Sequence, residues 1–270
     1  MARVIAVVSQ KGGVGKTTTV LNLGYSLSKL GQRVLLVDLD PQGALLLSLA
    51  QEDRTRKGLA EVFAKKAAIE QVVITTAEHN LELIGIGKLP AMAVSAFERA
   101  LSQPKALKNT IAPVIGDYDF VLLDCPSGIG GITTAALTAA DSVIVVMLCD
   151  PLSLRSLPQA LELMEGLKTV HKNLELEGIL LNQHQLRVRI SSEVAEQVWD
   201  QFPQEAVFQT VIPRHELFGE ASAHGVPLAR MGRKAQSLAL KYTDLAREVL
   251  TGGTGHMDED IQDGQIEPLL

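Results

Sequence analysis

Short apolar runs alternate along the chain with longer stretches in which apolar positions return every three or four residues. Residues 4–8, 34–37, 120–123, 142–147 and 178–181 are nearly continuous Val, Ile and Leu. Runs of this kind predict strands buried on both faces, as in a parallel sheet covered by helices on each side. Helical spacing predicts helices over 16–30, 57–64, 92–115, 130–140, 153–170, 191–200 and 234–250. The alternation predicts an α/β fold: a doubly wound, mostly parallel sheet with helices on both faces and right-handed crossovers. No internal repeat appears, and no linker divides residues 1–250, which are expected to form a single domain.

Beyond that point the pattern stops. Thr251-Gly252-Gly253-Thr254-Gly255 is followed by Asp258, Glu259, Asp260, Asp263 and Glu267 with no Lys or Arg, which predicts an acidic, flexible tail over 251–270. Gly255-His256-Met257 also has the form of a cloning scar.

Composition narrows the function classes. With 25 Lys+Arg against 31 Asp+Glu, net charge −6, bulk charge does not hold this 270-residue chain on nucleic acid, although a local basic patch could. Aromatics at 4% argue against base-stacking platforms. The 2 cysteines, Cys125 and Cys149, are too few for a disulfide framework or a thiolate zinc site. Met1-Ala2-Arg3 runs straight into an apolar stretch too short for a signal peptide, and no apolar run reaches the ~20 residues of a membrane helix. A cytoplasmic location is expected.

The chemistry concentrates in Gln10-Lys11-Gly12-Gly13-Val14-Gly15-Lys16-Thr17-Thr18, between the first strand and the first helix. Glycines there let consecutive backbone N–H groups turn toward phosphate oxygens, and the helix that follows aims its positive end at the same anion. Lys16 can reach the β- and γ-phosphates, and the Thr17 hydroxyl suits Mg²⁺. The general phosphate-loop pattern has Gly where this chain has Gln10. A nucleoside triphosphate is the expected ligand.

Lys11 to Thr18 resembles the deviant Walker A motif of the ParA/MinD ATPases, which are P-loop NTPases. Val37-Asp38-Leu39-Asp40-Pro41-Gln42-Gly43 is similar to the segment after their second strand, and the stretch Tyr118 to Pro126 to their Walker B strand. Ile212-Pro213-Arg214 and the block from Glu220 to Pro227 resemble a C-terminal block of the ParA side. These matches span residues 1 to about 250.

The resemblance implies ATP and Mg²⁺ as cofactors and a weak, partner-stimulated ATPase that is a homodimer when ATP is bound. Gly12, Gly13, Val14, Gly15, Lys16, Thr17 and Thr18 would cradle the phosphates. Lys11 would cross a nucleotide-sandwich dimer and offset charge on the partner's departing γ-phosphoryl, as an arginine finger does. Asp40 would position the attacking water, Asp38 would serve as an accessory group near the metal, and Asp124 would act on Mg²⁺ as a Walker B carboxylate. Read from the residues alone, Asp38 and Asp40 follow a strand's carboxyl end, where such sheets bind ligands, and an Asx turn into Pro41 is the competing explanation. Residues 126–130 would sense the γ-phosphate.

Asn182 carries the amide needed to read adenine, with a turn-forming role as the alternative; Pro213 and Arg214 would flank the same base by resemblance. Arg187, Arg189, Arg230, Arg233 and Lys234 are candidates for non-specific DNA binding, which would place the protein on the nucleoid. His215-Glu216-Leu217 departs from the family, which has a basic position there. The expected role is segregating or positioning a cargo such as a plasmid, a chromosome or a protein assembly, with a ParB-like adaptor as activator. A MinD-like membrane cycle is the alternative. It is disfavoured because Leu238, Leu240, Tyr242, Leu245, Val249 and Leu250 suit a packed final helix, and because an acidic tail is repelled by anionic lipid. A P-loop metabolic synthetase is the other alternative.

Overall fold

The computed structural model describes residues 2–48, 56–168, 171 and 173–252. The expected acidic tail therefore lies outside the described residues, apart from Thr251 and Gly252. The expected strands form as β1 (Arg3–Val8), β2 (Val34–Asp38), β5 (Phe120–Asp124), β6 (Ser142–Leu148) and β7 (Glu175–Asn182). Two further strands, β3 (Val73–Thr75) and β4 (Leu81–Ile84), were not foreseen. The sheet order is β3-β4-β2-β5-β1-β6-β7, parallel throughout except for β3, which runs antiparallel to β4 at the edge.

The central strands are continuous apolar runs because both of their faces are covered. Val4 through Val8 and Val34 through Val37 are all buried. Helix α1 (Lys16–Lys29) lies against β1, β2 and β5 and packs on α9 (Gln236–Leu250). Helix α5 (Gly131–Ala139) also lies against β1, and packs with α3 (Ala91–Leu101), α4 (Ala106–Ile115) and α6 (Pro151–Lys168). Because β1 is an interior strand with β5 on one side and β6 on the other, the chain reverses its winding there. The crevice at its carboxyl end is the topological switch point where such sheets bind ligands.

Several expected helices shift or split. The span 92–115 is two helices, broken at Ser102–Lys105: Pro104 lacks an N–H and disfavours a helical Gln103, and Lys105 turns left-handed at φ 60°. The 57–64 helix is only α2 (Leu59–Phe63), and α7 (Arg189–Gln201) starts two residues earlier than expected. Helix α8 (Leu217–His224) was missed, and it begins at the last residue of the departing His215-Glu216-Leu217 segment. At the base of the sheet Glu177 is buried. It accepts from the Ser142 hydroxyl and pairs at 2.6 Å with Arg3, whose guanidinium also donates to the Val249 carbonyl of α9.

Candidate functional site

The loop between β1 and α1 has the conformation its glycines were expected to permit. Gly13 and Gly15 lie at φ 71° and 95°, the left-handed region that suits glycine. Gly15 caps α1 without a side chain, leaving first-turn N–H groups open toward the crevice. A Cβ on Gly15 would also come within 2.5 Å of the Asn182 amide nitrogen. The buried Lys16 reaches across the crevice to the Ser127 hydroxyl at 2.9 Å, inside the expected 126–130 switch segment. Burial lowers its pKa from the usual lysine range, against the opposing charges of Asp124 and Asp40.

Asp38 and Asp124 end neighbouring strands and are register partners. Both are fully buried. Asp38 accepts from the backbone N–H groups of Asp40 at 3.0 Å and Leu45 at 3.1 Å. Neither oxygen of Asp124 makes a hydrogen bond of normal geometry among the described residues. Burial pushes both carboxyls above the ordinary carboxylate range, with the charge of Asp124 and then Asp40 added for Asp38 and that of Asp40 for Asp124; the Thr17 hydroxyl and Lys16 act the other way on Asp124. An orphaned buried carboxylate beside a second acid, a hydroxyl and a phosphate loop has the oxygen donors a hard divalent cation requires.

Asp40 is half-buried and accepts from the Gln42 N–H at 2.9 Å. The Asx turn weighed against a chemical role is therefore present, and the Asp40 charge also acts on Lys16 and Asp124. Lys11 does not enter the cradle of its own chain. Its Nζ lies 3.1 Å from Asp150, the residue before α6, with both side chains about a third exposed. Asp150 caps α6 through the N–H groups of Leu152 and Ser153, and accepts from the Ser153 hydroxyl. Partial burial alone would raise its pKa, but the Ser153 amide, Lys11 and the Ser153 hydroxyl together hold it below the usual range.

Beside the start of α1 a cavity of about 160 Å³ is lined by Gly15, Thr18, Asn182, Gln183, Arg214, His215, Phe218 and Tyr242. Asn182 and Arg214 are thus brought together beside the loop. Pro213 sits just behind them, bridged to His184. The Asn182 amide is already engaged: Nδ2 donates to the Val14 carbonyl at 2.6 Å and Oδ1 accepts from the Gln183 N–H. A larger cavity, about 490 Å³ around Arg33, His79 and Tyr118, lies at the opposite end of the strands and shares none of these residues.

The five basic candidates are not equivalent. Arg189 pairs with Glu193, Arg230 with Glu78, and Lys234 with Glu220. Arg187 and Arg233 are exposed and carry no ion pair among the described residues. Cys125 and Cys149 are buried free thiols in the core. No helix among the described residues is long and apolar enough to cross a membrane. Sequence reasoning did not place Asp150, Gln183, Phe218 or Tyr242 beside the loop: Gln183 follows the candidate Asn182 and Tyr242 was read as packing in the final helix, but nothing local shows that they meet there.

Residues 2–177 match the family described as AAA domain. The chain is 35% identical over 255 residues to the sporulation initiation inhibitor protein Soj of Bacillus subtilis, covering 94% of this chain and 100% of Soj. It is 34% identical over 258 residues to the chromosome partitioning protein ParA of Caulobacter vibrioides, covering 92% and 94%. A crystal structure of cobyrinic acid a,c-diamide synthase from Mycobacterium smegmatis, with an ATP analogue and magnesium, superposes with a TM-score of 0.75 at 32% identity, covering 93% and 95%. Taken with a phosphate loop at the switch point and paired aspartates at the ends of β2 and β5, these likenesses are decisive: the chain belongs to the ParA/MinD family of P-loop ATPases, on its ParA side.

Proposed function

We propose that this protein is a Mg²⁺-dependent ATPase that forms an ATP-bound homodimer, holds non-specific DNA in that state, and positions or segregates a cargo until a ParB-like adaptor stimulates hydrolysis. The observation that carries the reading is the placement of Lys11. It stands at the mouth of the phosphate loop, outside its own chain's cradle, on a partly exposed ion pair that a second copy could replace with its triphosphate. The exposed Leu152 and Ile129 nearby give a second copy apolar surface to cover.

In this scheme the N–H groups of Gly12 to Thr18 and the Lys16 ammonium bind the β- and γ-phosphates, and the low-dielectric setting of Lys16 strengthens its attraction. Thr17, Asp38 and Asp124 would hold Mg²⁺, which when bound offsets phosphate charge and orients the triphosphate. Asp40 orients the attacking water, and Ser127 links γ-phosphate occupancy to residues 126–130. Lys11 from the second copy supplies the final positive charge, so turnover requires pairing. Asn182, Pro213 and Arg214 border the base.

Two other roles remain distinct in their consequences. A MinD-like cycle would put the ATP form on anionic vesicles, and a synthetase, the activity named for the M. smegmatis neighbour, would need an acceptor molecule for turnover. Co-sedimentation of the ATP form with DNA and with anionic liposomes, side by side across a salt series, separates them. DNA retention that is lost in Arg187→Glu/Arg233→Glu supports the reading. Equal retention by the double variant, or binding to vesicles alone, refutes it.

A further inference from the structure

The strand that ends at the site does more than border a base. The Asn182 Oδ1 accepts from the Gln183 N–H at 2.9 Å, which orients the amide so that Nδ2 donates to the Val14 carbonyl. Gln183 takes the left-handed conformation at φ 53°, uncommon for a residue with a long side chain, and its Nε2 donates to the Gly13 carbonyl at 2.8 Å. Two consecutive side chains from the end of β7 therefore hold two consecutive carbonyls on the outer side of the phosphate loop. A loop whose N–H groups face an anion must turn carbonyls outward, and these two have partners waiting.

The same residues begin the path to the surface. His184 donates its N–H to the Ile212 carbonyl at 3.0 Å and accepts from the Arg214 N–H at 2.9 Å, tying the next residue to the base cavity. Gln185 donates its N–H to the Ser191 hydroxyl at 3.0 Å, fastening the segment to α7. Between these ties Leu186, Arg187, Val188, Arg189 and Ile190 are all exposed. The phosphate loop, the base cavity and an exposed basic–apolar segment thus converge on one strained residue, of the kind that persists only when its surroundings hold it there.

We propose that Gln183 is a positioning residue that presets the phosphate loop for nucleotide and relays its occupancy to residues 184–190, so that this segment changes its presentation when nucleotide binds. The inference rests on nucleotide binding at this loop, as in the function proposed above, and not on what the segment then contacts.

Gln183→Asn tests it, because Asn tolerates the left-handed backbone but is one methylene too short to reach Gly13. Gln183→Met keeps the length and removes the donor without adding charge, and serves if the first variant folds poorly. Both should weaken ADP binding, measured by calorimetry, by roughly threefold to tenfold, as expected for one lost neutral hydrogen bond. Gln183→Lys, which restores a donor of similar reach, should recover most of that loss equally at low and moderate salt, whereas a gain from its added charge alone would shrink as salt rises. Hydrogen exchange supplies the second readout: saturating ADP should slow exchange across 184–191 in the unaltered protein. In Gln183→Asn, saturating ADP should protect only the phosphate loop. Unchanged ADP affinity, or an undiminished response of 184–191 in both variants, overturns the proposal. Failure of the unaltered protein to bind ADP at all would instead overturn the assignment of the loop as a nucleotide site, and this proposal with it.

Discussion

Replacing Asp150 with Asn offers the sharpest test of how Lys11 is held before it acts. In the single chain the ammonium rests 3.1 Å from the Asp150 carboxylate, with side-chain exposures of 29% and 36%. A pair this open to solvent contributes about 0.5–1 kcal/mol. If Lys11 leaves this pair to serve the opposite triphosphate, each protomer gives up that amount on pairing, so the dimer gives up about 1–2 kcal/mol. Removing the charge at position 150 refunds it, which tightens the ATP-dependent dimer by roughly fivefold to thirtyfold. Asn is chosen because the carboxylate also caps α6 through Leu152 and Ser153, and Asn is an equally good cap, so the helix start survives.

The assay is sedimentation velocity over a protein dilution series with ATP, at low and moderate salt. The gain should shrink as ionic strength rises, because the pair it removes is screened over about 10 Å at 0.1 M salt. The nucleotide-free protein should stay monomeric in both forms. A dimer of equal or lower affinity in Asp150→Asn, with α6 intact by circular dichroism, would refute the idea that Asp150 competes with pairing and assign it a supporting role inside the dimer instead.

Lys11→Ala should retain nucleotide binding yet lose on the order of 10³-fold or more of adaptor-stimulated turnover in a phosphate-release assay, as removal of a trans cation does; unchanged turnover removes the trans role. Asp124→Asn should stabilise the nucleotide-free protein at pH 8 in urea denaturation by about 1–3 kcal/mol, since it replaces a buried charge with a neutral amide of the same shape. Burial raises the Asp124 carboxyl above its unfolded value, so the native state keeps a proton the unfolded chain has released, and stability falls as pH rises through that interval. Asp124→Asn should flatten this slope, and an unaltered slope would show that Asp124 does not produce it.

The legible parts of this protein are those whose signal is local. β1, β2, β5, β6 and β7 are buried on both faces, so each writes a continuous apolar run. β3 and β4 are three and four residues long, and Glu82 interrupts β4, where it accepts from Thr75 and Tyr118. β4 is held between β3, itself too short to announce a strand, and β2, which lies far up the chain and outside any short window. The break between α3 and α4 is different: Pro104 stood in plain view, and the apolar periodicity continuing across it obscured the stop. The phosphate loop, Asp38 and Asp124 were legible because motif spacing fixes them within one strand–loop unit. Asp150 and Gln183 were not, since they meet Lys11 and Gly13 across 139 and 170 residues of chain.

The ion pairs at the surface also bear on how firmly DNA could be held. Five basic residues per protomer fit the sequence pattern, but Arg189, Arg230 and Lys234 already face carboxylates. A cation that must leave Glu78 or Glu220 to meet a phosphate exchanges one partner for another and adds little to the net gain. Of these five, Arg187 and Arg233 carry no ion pair among the described residues, two per protomer and four per dimer. Each phosphate contact contributes about −0.9 to the slope of log affinity against log salt, so four predict about −4, whereas engagement of all ten predicts about −9. With a net charge of −6 on each chain, the smaller slope also fits a dimer that holds DNA loosely enough for an adaptor to release it. A measured slope near −9 would mean that the surface carboxylates give up their partners on binding, and that the single-chain ion pairs do not describe the DNA-bound face.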